Sequence, residues 1–445
     1  MKWSEEWLDN FKIRLSAGSM GNGNVDPYSY TSEMTVATAS DIVLGGGLPS
    51  YTTVGSTVPV SLTWEKSTTY DLGLDLDFLN NRLSFSGDYY RRYTTDMYTP
   101  SISLPSVYGT TSPKGNNAEL RTTGWELSLT WRDSFKLGGK PFDYSIKAMV
   151  WDNRTVVTKY ENATRSLGTL KGYIQNGGSP SDFYEGMELG EMWGYTVAGL
   201  FRDQADIDSS ATHDFTQASD KVTRPGQVKI ADLDHNGNID PGAFTADDHG
   251  DLSIIGNINP HYMFGVNLAA NWNGIGLSVF LQGVMKRDWY PSPDSGYFWG
   301  KYARPFMWVL GIHNYTDDMY SEEKNNWDTA YWPRMTTYQS NSSYSWTKLL
   351  EIPNTRYKQN AAYLRVKNIQ VDYTFPKALC QKIRLGGLKI YLSGENLFTF
   401  TPLHKYAPNF DPEALGYDTD FSSTAGDGYT YPVLKSVTLG VNITF

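Results

Sequence analysis

Apolar and polar residues alternate along most of the chain. Tyr70, Leu72, Leu74, Leu76 and Phe78 are separated by Asp71, Gly73, Asp75 and Asp77. After Asn80-Asn81 the pattern resumes in Leu83, Phe85, Gly87 and Tyr89. It returns over 125–131, 142–150, 264–272, 275–281, 369–375 and 388–392, and in the closing VTLGVNITF at 437–445. A period of two sends successive side chains to opposite faces, so each stretch predicts a β-strand with one apolar and one polar face. Several strands run to about ten residues, longer than the usual five or six and long enough to cross a bilayer when tilted. Trp125, Trp131, Trp151, Trp272 and Phe375 stand near strand ends, where a membrane barrel places its aromatic girdles. Tight turns at Asn80-Asn81 and Asn273-Gly274 join some strands, and long polar segments join others. The pattern predicts an all-β fold, a transmembrane antiparallel β-barrel wall of roughly eleven to thirteen strands with long loops on one side. Helix is scarce, with short turns expected at 321–324 and 377–381.

Composition sharpens this picture. The mean hydropathy of −0.45 is low, as it is for a barrel in which only alternate strand residues meet lipid. Tyr, with 31 copies, and Trp, with 14, combine an apolar body with a polar tip suited to water–lipid boundaries. A net charge of −10 argues against a nucleic-acid partner. The single cysteine, Cys380, cannot form an intrachain disulfide, and no Cys/His spacing suggests zinc. No HExxH, GxSxG or GxxxxGK motif occurs, so no residue is assigned a catalytic role and the chain is read as not an enzyme. No apolar run approaches the ~18 residues of a membrane helix. The amino end, MKWSEEWLDNFKIRLSAG, lacks the basic-then-apolar pattern of a signal peptide.

Three groups of residues invite a chemical reading. In DLDHNGNID (232–240), Asp232, Asp234 and Asn236 offer oxygens at positions 1, 3 and 5 of a calcium loop. Gly237 allows the sharp turn, Asn238 offers its carbonyl and Asp240 sits at position 9. Position 12 is Ala243, so Asp247 or Asp248 would have to reach back, and an ion-free Asx-rich turn is the plain alternative. Residues 289–346 are dense in aromatics, including Trp289, Tyr290, Trp299 and Trp308. Their rings either bind substrate by stacking or pack a small core for the loops themselves. The acids Asp71, Asp75 and Asp77 lie on one polar strand face, which a solvated lumen explains better than a glycosidase pair does.

The chain resembles the carboxy-terminal half of SusC/RagA-type TonB-dependent outer-membrane transporters. The likeness is carried by WSEEWLDNFKIRLSAGSMGNGNVDPY (3–28), WEKSTTYDLGLDLDFLNNRLSFSGDYYRRYTTDM (64–97) and NAELRTTGWELSLTW (117–131). GEMWGYTVAGLF (190–201), DLDHNGNID with IIGNINPHYMFGVNL (254–268), AAYLRVKNIQVDYTFP (361–376) and GLKIYLSGENLFTFT (387–401) follow in the family's order. The resemblance implies a barrel of about 22 strands plugged by an amino-terminal domain. It implies import of nutrient oligomers, glycan or peptide, under a SusD-like lipoprotein lid, energised by the TonB complex through a region absent from this chain. A siderophore or vitamin receptor is the alternative within transport, and a soluble β-rich carbohydrate-binding or glycoside-cleaving protein is the alternative of another class. By the same resemblance Phe445, the terminal aromatic, is the signal read by the outer-membrane assembly machinery, with 1–445 as barrel and the plug and signal peptide lying upstream.

Overall fold

The alternating stretches are strands of one sheet. The computed structural model describes residues 7–23, 31, 34–54, 62–100, 114–213, 222–291, 298, 318–334, 352–415 and 432–445. Ten of its strands form a single antiparallel sheet: β1 (Leu8–Asn22), β2 (Glu65–Phe78), β3 (Leu83–Pro100), β4 (Lys114–Leu137), β5 (Lys140–Lys159), β6 (His261–Trp272), β7 (Ile275–Lys286), β8 (Tyr363–Thr374), β9 (Gly387–Phe400) and β10 (Ser436–Thr444). Each pairs with its neighbour in sequence among these ten, and β1 and β10 form the two edges. Ten strands, not eleven to thirteen, build the wall among the described residues. Other short strands pair elsewhere, in two-stranded ladders, among them Glu191–Tyr195, which is buried throughout and pairs with Leu252–Asn257.

Register keeps the two faces apart across the whole sheet. One cross-strand row reads Phe11, Leu76, Phe85, Leu129, Ala148, Val266, Leu281, Val366 and Phe398. A row of the other face reads Asn10, Asp77, Ser84, Thr130, Lys147, Asn267, Phe280, Asn368, Glu395 and Ser436, with Phe280 its one apolar member. A one-residue slip anywhere would swap the faces, so this alternation pins the register. On the polar face Arg14 bridges Asp75 and Asp88, each at 2.8 Å, while Asn10 donates to Asp77 at 3.0 Å. The acids of β2 are thus held by cations and amides, as a wetted wall requires.

Connections alternate in length. At one end of the sheet the links are short: 79–82, 138–139, 273–274, and 375–386 with its helix Lys377–Lys382. Asn273 and Gly274 both have positive φ (51° and 87°), the geometry of a type I′ hairpin turn, whose twist matches that of the strands. At the other end the links are 23–64, 101–113, 160–260, 287–362 and 401–435. No helix among the described residues is long and apolar enough to cross a membrane, which says nothing of strands.

The buried core sits with the long links rather than on the sheet. Leu167, Tyr173, Met192, Trp193, Tyr195 and Leu252 from 160–260 meet Trp289, Tyr290, Trp332, Ile352 and Tyr357 from 287–362, and Leu403 and Phe410 from 401–435. The sheet's apolar face carries the exposed large side chains instead, among them Leu15, Leu72, Leu129, Leu392 and Leu439. An apolar face this wide is not left to water in a native protein, so it marks a surface that meets lipid or another apolar body.

Candidate functional site

The described parts of 160–260, 287–362 and 401–435 form a cap on one end of the sheet, and the sequence-predicted site residues that are described all lie in it, apart from Phe445. Asn354 organises its centre. It is fully buried, its Nδ2 donates to the Tyr290 hydroxyl (2.8 Å), and its Oδ1 accepts from the N–H groups of Arg356 (3.1 Å) and Tyr357 (3.2 Å). The adjoining backbone joins two links, since Tyr195 N–H donates to Pro353 O (2.9 Å) and Thr355 N–H to Tyr195 O (3.0 Å). Nearby, Glu191 is buried, and burial pushes its carboxyl up against the donors Tyr184 and Trp193.

Trp289 and Tyr290 are 1% exposed. Trp289 lies against Phe298 (6.1 Å between centroids) and Phe410 (5.0 Å), and the Tyr290 hydroxyl donates to Ile352 O (3.1 Å). Their rings have no free face, so these two belong to the loop core and not to a stacking platform. Of the two readings of the loop aromatics, the packing of Trp289 and Tyr290 is that of a loop core. Trp299 and Trp308 lie outside the described residues.

The acidic loop folds as an Asx-rich turn. Gly237 N–H donates to Asp232 Oδ2 (3.1 Å), Asn236 N–H to Asp234 Oδ1 (3.0 Å), and Asn238 N–H to Asn236 Oδ1 (2.7 Å). Gly237 has φ +84°, the sharp turn expected there. Carboxylate oxygens of Asp232, Asp234 and Asp251 lie within 4.8 Å of one another. Asp240 instead caps Gly242 N–H (2.7 Å). Neither Asp247, which pairs with Arg165, nor Asp248 supplies the third acid. Asp251 does, from eleven residues beyond Asp240, because it accepts from Leu233 N–H (2.6 Å) and Asp240 N–H (3.0 Å) and so folds back onto the loop. Burial pushes the Asp251 carboxyl up in spite of those two donors. Asp232 Oδ1 is buried with no protein donor.

A further cluster went unseen in the sequence. Arg365, near the start of β8, is 2% exposed. It reaches Asp411 and Glu413 at 2.5 Å each and Thr399 Oγ1 at 2.9 Å, while Lys367 and the Tyr363 hydroxyl also bind Glu413 (2.9 and 3.0 Å). It fastens the 402–415 segment to the wall. Alternation alone marks Arg365 only as a polar-face residue; no local signal announces its acids 46 and 48 positions on.

A family model described as TonB dependent receptor-like, beta-barrel matches residues 3–228. The chain belongs to this TonB-dependent receptor β-barrel family. Among its curated relatives, TonB-dependent receptor P3 of Formosa agariphila is 26% identical over 98% of this chain and 40% of its own length. TonB-dependent receptor SusC of Bacteroides thetaiotaomicron is 24% identical over 98% of this chain and 38% of its own length. The chain therefore spans about two fifths of the curated receptors it resembles. A solved structure of the RagAB peptide transporter superposes on all of this chain and 42% of its own with a TM-score of 0.66 at 20% identity. The ten-stranded sheet of this TonB-dependent receptor chain thus has the fold of a barrel wall, and the cap corresponds to the end where its long links gather.

Proposed function

We propose that this chain forms part of the wall and outer loops of an outer-membrane importer. The supporting observation is the sheet itself: one face apolar across nine strands, short turns at one end and long links at the other. In this reading the apolar face meets lipid, the polar face lines the lumen, and the cap receives substrate. Transport is energised by TonB acting on a plug outside this chain, with a SusD-like lipoprotein as the outer lid. No bond-making step is assigned to it. Glycan oligomers are the first substrate class, on the likeness to SusC-type sequences. Oligopeptides are the second, favoured by the likeness to RagAB, whose structures are described as a peptide transporter. Two observations test this. The receptor is recovered in outer membranes and migrates faster unheated than boiled, and Phe445→Ser lowers the recovered amount several-fold; recovery in the soluble fraction refutes membrane residence. Cells lacking TonB lose uptake of the labelled oligomer that wild-type cells import; uptake unchanged without TonB refutes energised transport.

We further propose that Asp232, Asp234 and Asp251 hold a calcium ion, with Asn236, Asn238 and Asp240 shaping the turn around it. Supporting this are the three converging carboxylates, the partnerless Asp232 Oδ1 and the buried Asp251. A hard cation with oxygen ligands answers all three. Millimolar calcium is expected to raise the melting temperature of the wild-type receptor, and Asp232→Ala or Asp234→Ala to abolish the rise. An ion-free loop in a crystal grown in millimolar calcium would remove the idea.

A further inference from the structure

Three arginines stand together on the apolar face. Arg91 shares the face of Leu83, Phe85 and Tyr89; Arg121 that of Trp125, Leu127 and Leu129; Arg154 that of Ile146, Ala148 and Val150. Register brings them side by side: Arg91 pairs with Thr123, which pairs with Arg154, and Arg121 lies in the next row between Tyr93 and Val156. All three are exposed, and none has a carboxylate partner among the described residues. Of the acids near in register, Glu119 is committed to Lys159 and Asp152 to His261 Nδ1 at 2.8 Å, while Asp71, next to Arg91's partner Tyr70, belongs by alternation to the opposite face. Arg91 donates to the Tyr89 hydroxyl at 3.3 Å.

Their height on the wall is defined. Along β4 the outward residues from the short-turn side are Phe135, Asp133, Trp131, Leu129, Leu127 and Trp125, with an aromatic at each end. At a strand rise of about 3.3 Å and a tilt near 40°, that span is about 25 Å tall, the height of a membrane barrel's apolar band. The arginines therefore sit at the level of the headgroups, on the side of the long links. Beside Arg91 an open groove of about 690 Å³ is lined by Leu15, Tyr70, Leu72, Tyr89 and Tyr93, and also by Asp71.

Three guanidiniums without a carboxylate partner thus fall in two adjacent rows of three neighbouring strands, an arrangement that suits a shared anion. We infer that Arg91, Arg121 and Arg154 bind the phosphate of an anionic lipid headgroup in the leaflet on the long-link side, with an acyl chain lying in the groove beside Arg91. A guanidinium fork suits phosphate oxygens, and the aromatic groove suits hydrocarbon below them. A soluble acidic protein is a poorer fit, since the cluster borders the apolar band and would force such a partner against lipid. This inference rests on the reading that the apolar face meets lipid.

The test uses the receptor extracted in detergent from outer membranes, checked for heat-modifiable migration, which separates failure of the barrel reading from failure of the lipid site. Equimolar dioleoylphosphatidic acid and dioleoylphosphatidylcholine are added, and retained lipid is counted by native mass spectrometry. Wild type is expected to retain phosphatidic acid about tenfold over phosphatidylcholine. Arg91→Gln/Arg121→Gln/Arg154→Gln loses that preference, while Arg92→Gln, one residue along and on the opposite face, keeps it. Should the triple variant fail to fold, Arg121→Gln alone is expected to cut the preference at least threefold. Equal retention by wild type, an unchanged preference in the folded variants, or displacement of the lipid by 10 mM inorganic phosphate alone would each overturn the proposal.

Discussion

Arg365→Ala is expected to release the 402–415 segment from the wall. The substitution takes the guanidinium from Asp411 and Glu413, whose carboxyl side chains are 7% and 15% exposed, and leaves Glu413 only Lys367 as a cation. Breaking a buried pair by removing one partner costs about 3–5 kcal/mol, because the surviving charge stays desolvated. A nitroxide at Ala414→Cys reads the outcome: a mobile spectral component, small in the parent, becomes dominant. Arg365→Lys rescues only in part, since one ammonium cannot fork to two acids. An immobile label in the alanine variant would show that the apolar contacts of Leu403 and Phe410 hold the segment unaided.

The same label carries a pH prediction. Burial pushes the Asp411 carboxyl up, but Glu413 N–H, the Arg365 guanidinium and Val433 N–H outweigh it and hold the group below its ordinary value. A carboxyl depressed in the folded state contributes its full stabilisation above its unfolded value, about 3.9, and loses it as pH falls through the lower folded value. The label is therefore expected to stay immobile between pH 5 and 7 and to loosen below about pH 4. Loosening on the alkaline side of that range would contradict the assignment.

Trp289→Ala is the second large effect. Truncating a fully buried tryptophan removes transfer energy and leaves a cavity, together about 3–5 kcal/mol. Its ring faces Phe298 and Phe410, so the loss spreads through two links. Hydrogen exchange across 352–360 and 402–415 is expected to accelerate, and uptake to fall with it. Trp289→Phe keeps an aromatic in the slot and loses less of both. Lost uptake with unchanged exchange would restore Trp289 to the role of a ligand platform.

Much of the wall was legible because strand alternation is a local property. Each of β2 to β10 contains a stretch whose two faces can be read from its own residues, and the two-residue turns announce themselves by Asn and Gly at positive φ. β1 alternates too, Phe11, Ile13 and Leu15 with Lys12, Arg14 and Ser16, although the likeness to barrel sequences is what located it. The cap was legible only in outline. Dense aromatics signalled a loop core, yet nothing near Trp289 says that Phe410 closes over it. The acidic loop showed its oxygen-bearing residues at 232–240, but not that Asp251 joins Asp232 and Asp234, because Asp251 is brought back by backbone hydrogen bonds from Leu233 and Asp240 that no spacing rule encodes.

The sequence by itself determined the strand class, the division of each strand into a wet and an apolar face, the short turns, and the family. Those depend on residues within a few positions of one another, where chain geometry leaves few choices. The tertiary structure alone decided which strands became neighbours to Arg91, Arg121 and Arg154, which acids Arg365 binds, and which aromatics lost their open faces. Each of these contacts joins residues far apart in the chain, and their meeting depends on register and on how the long links pack over the end of the sheet.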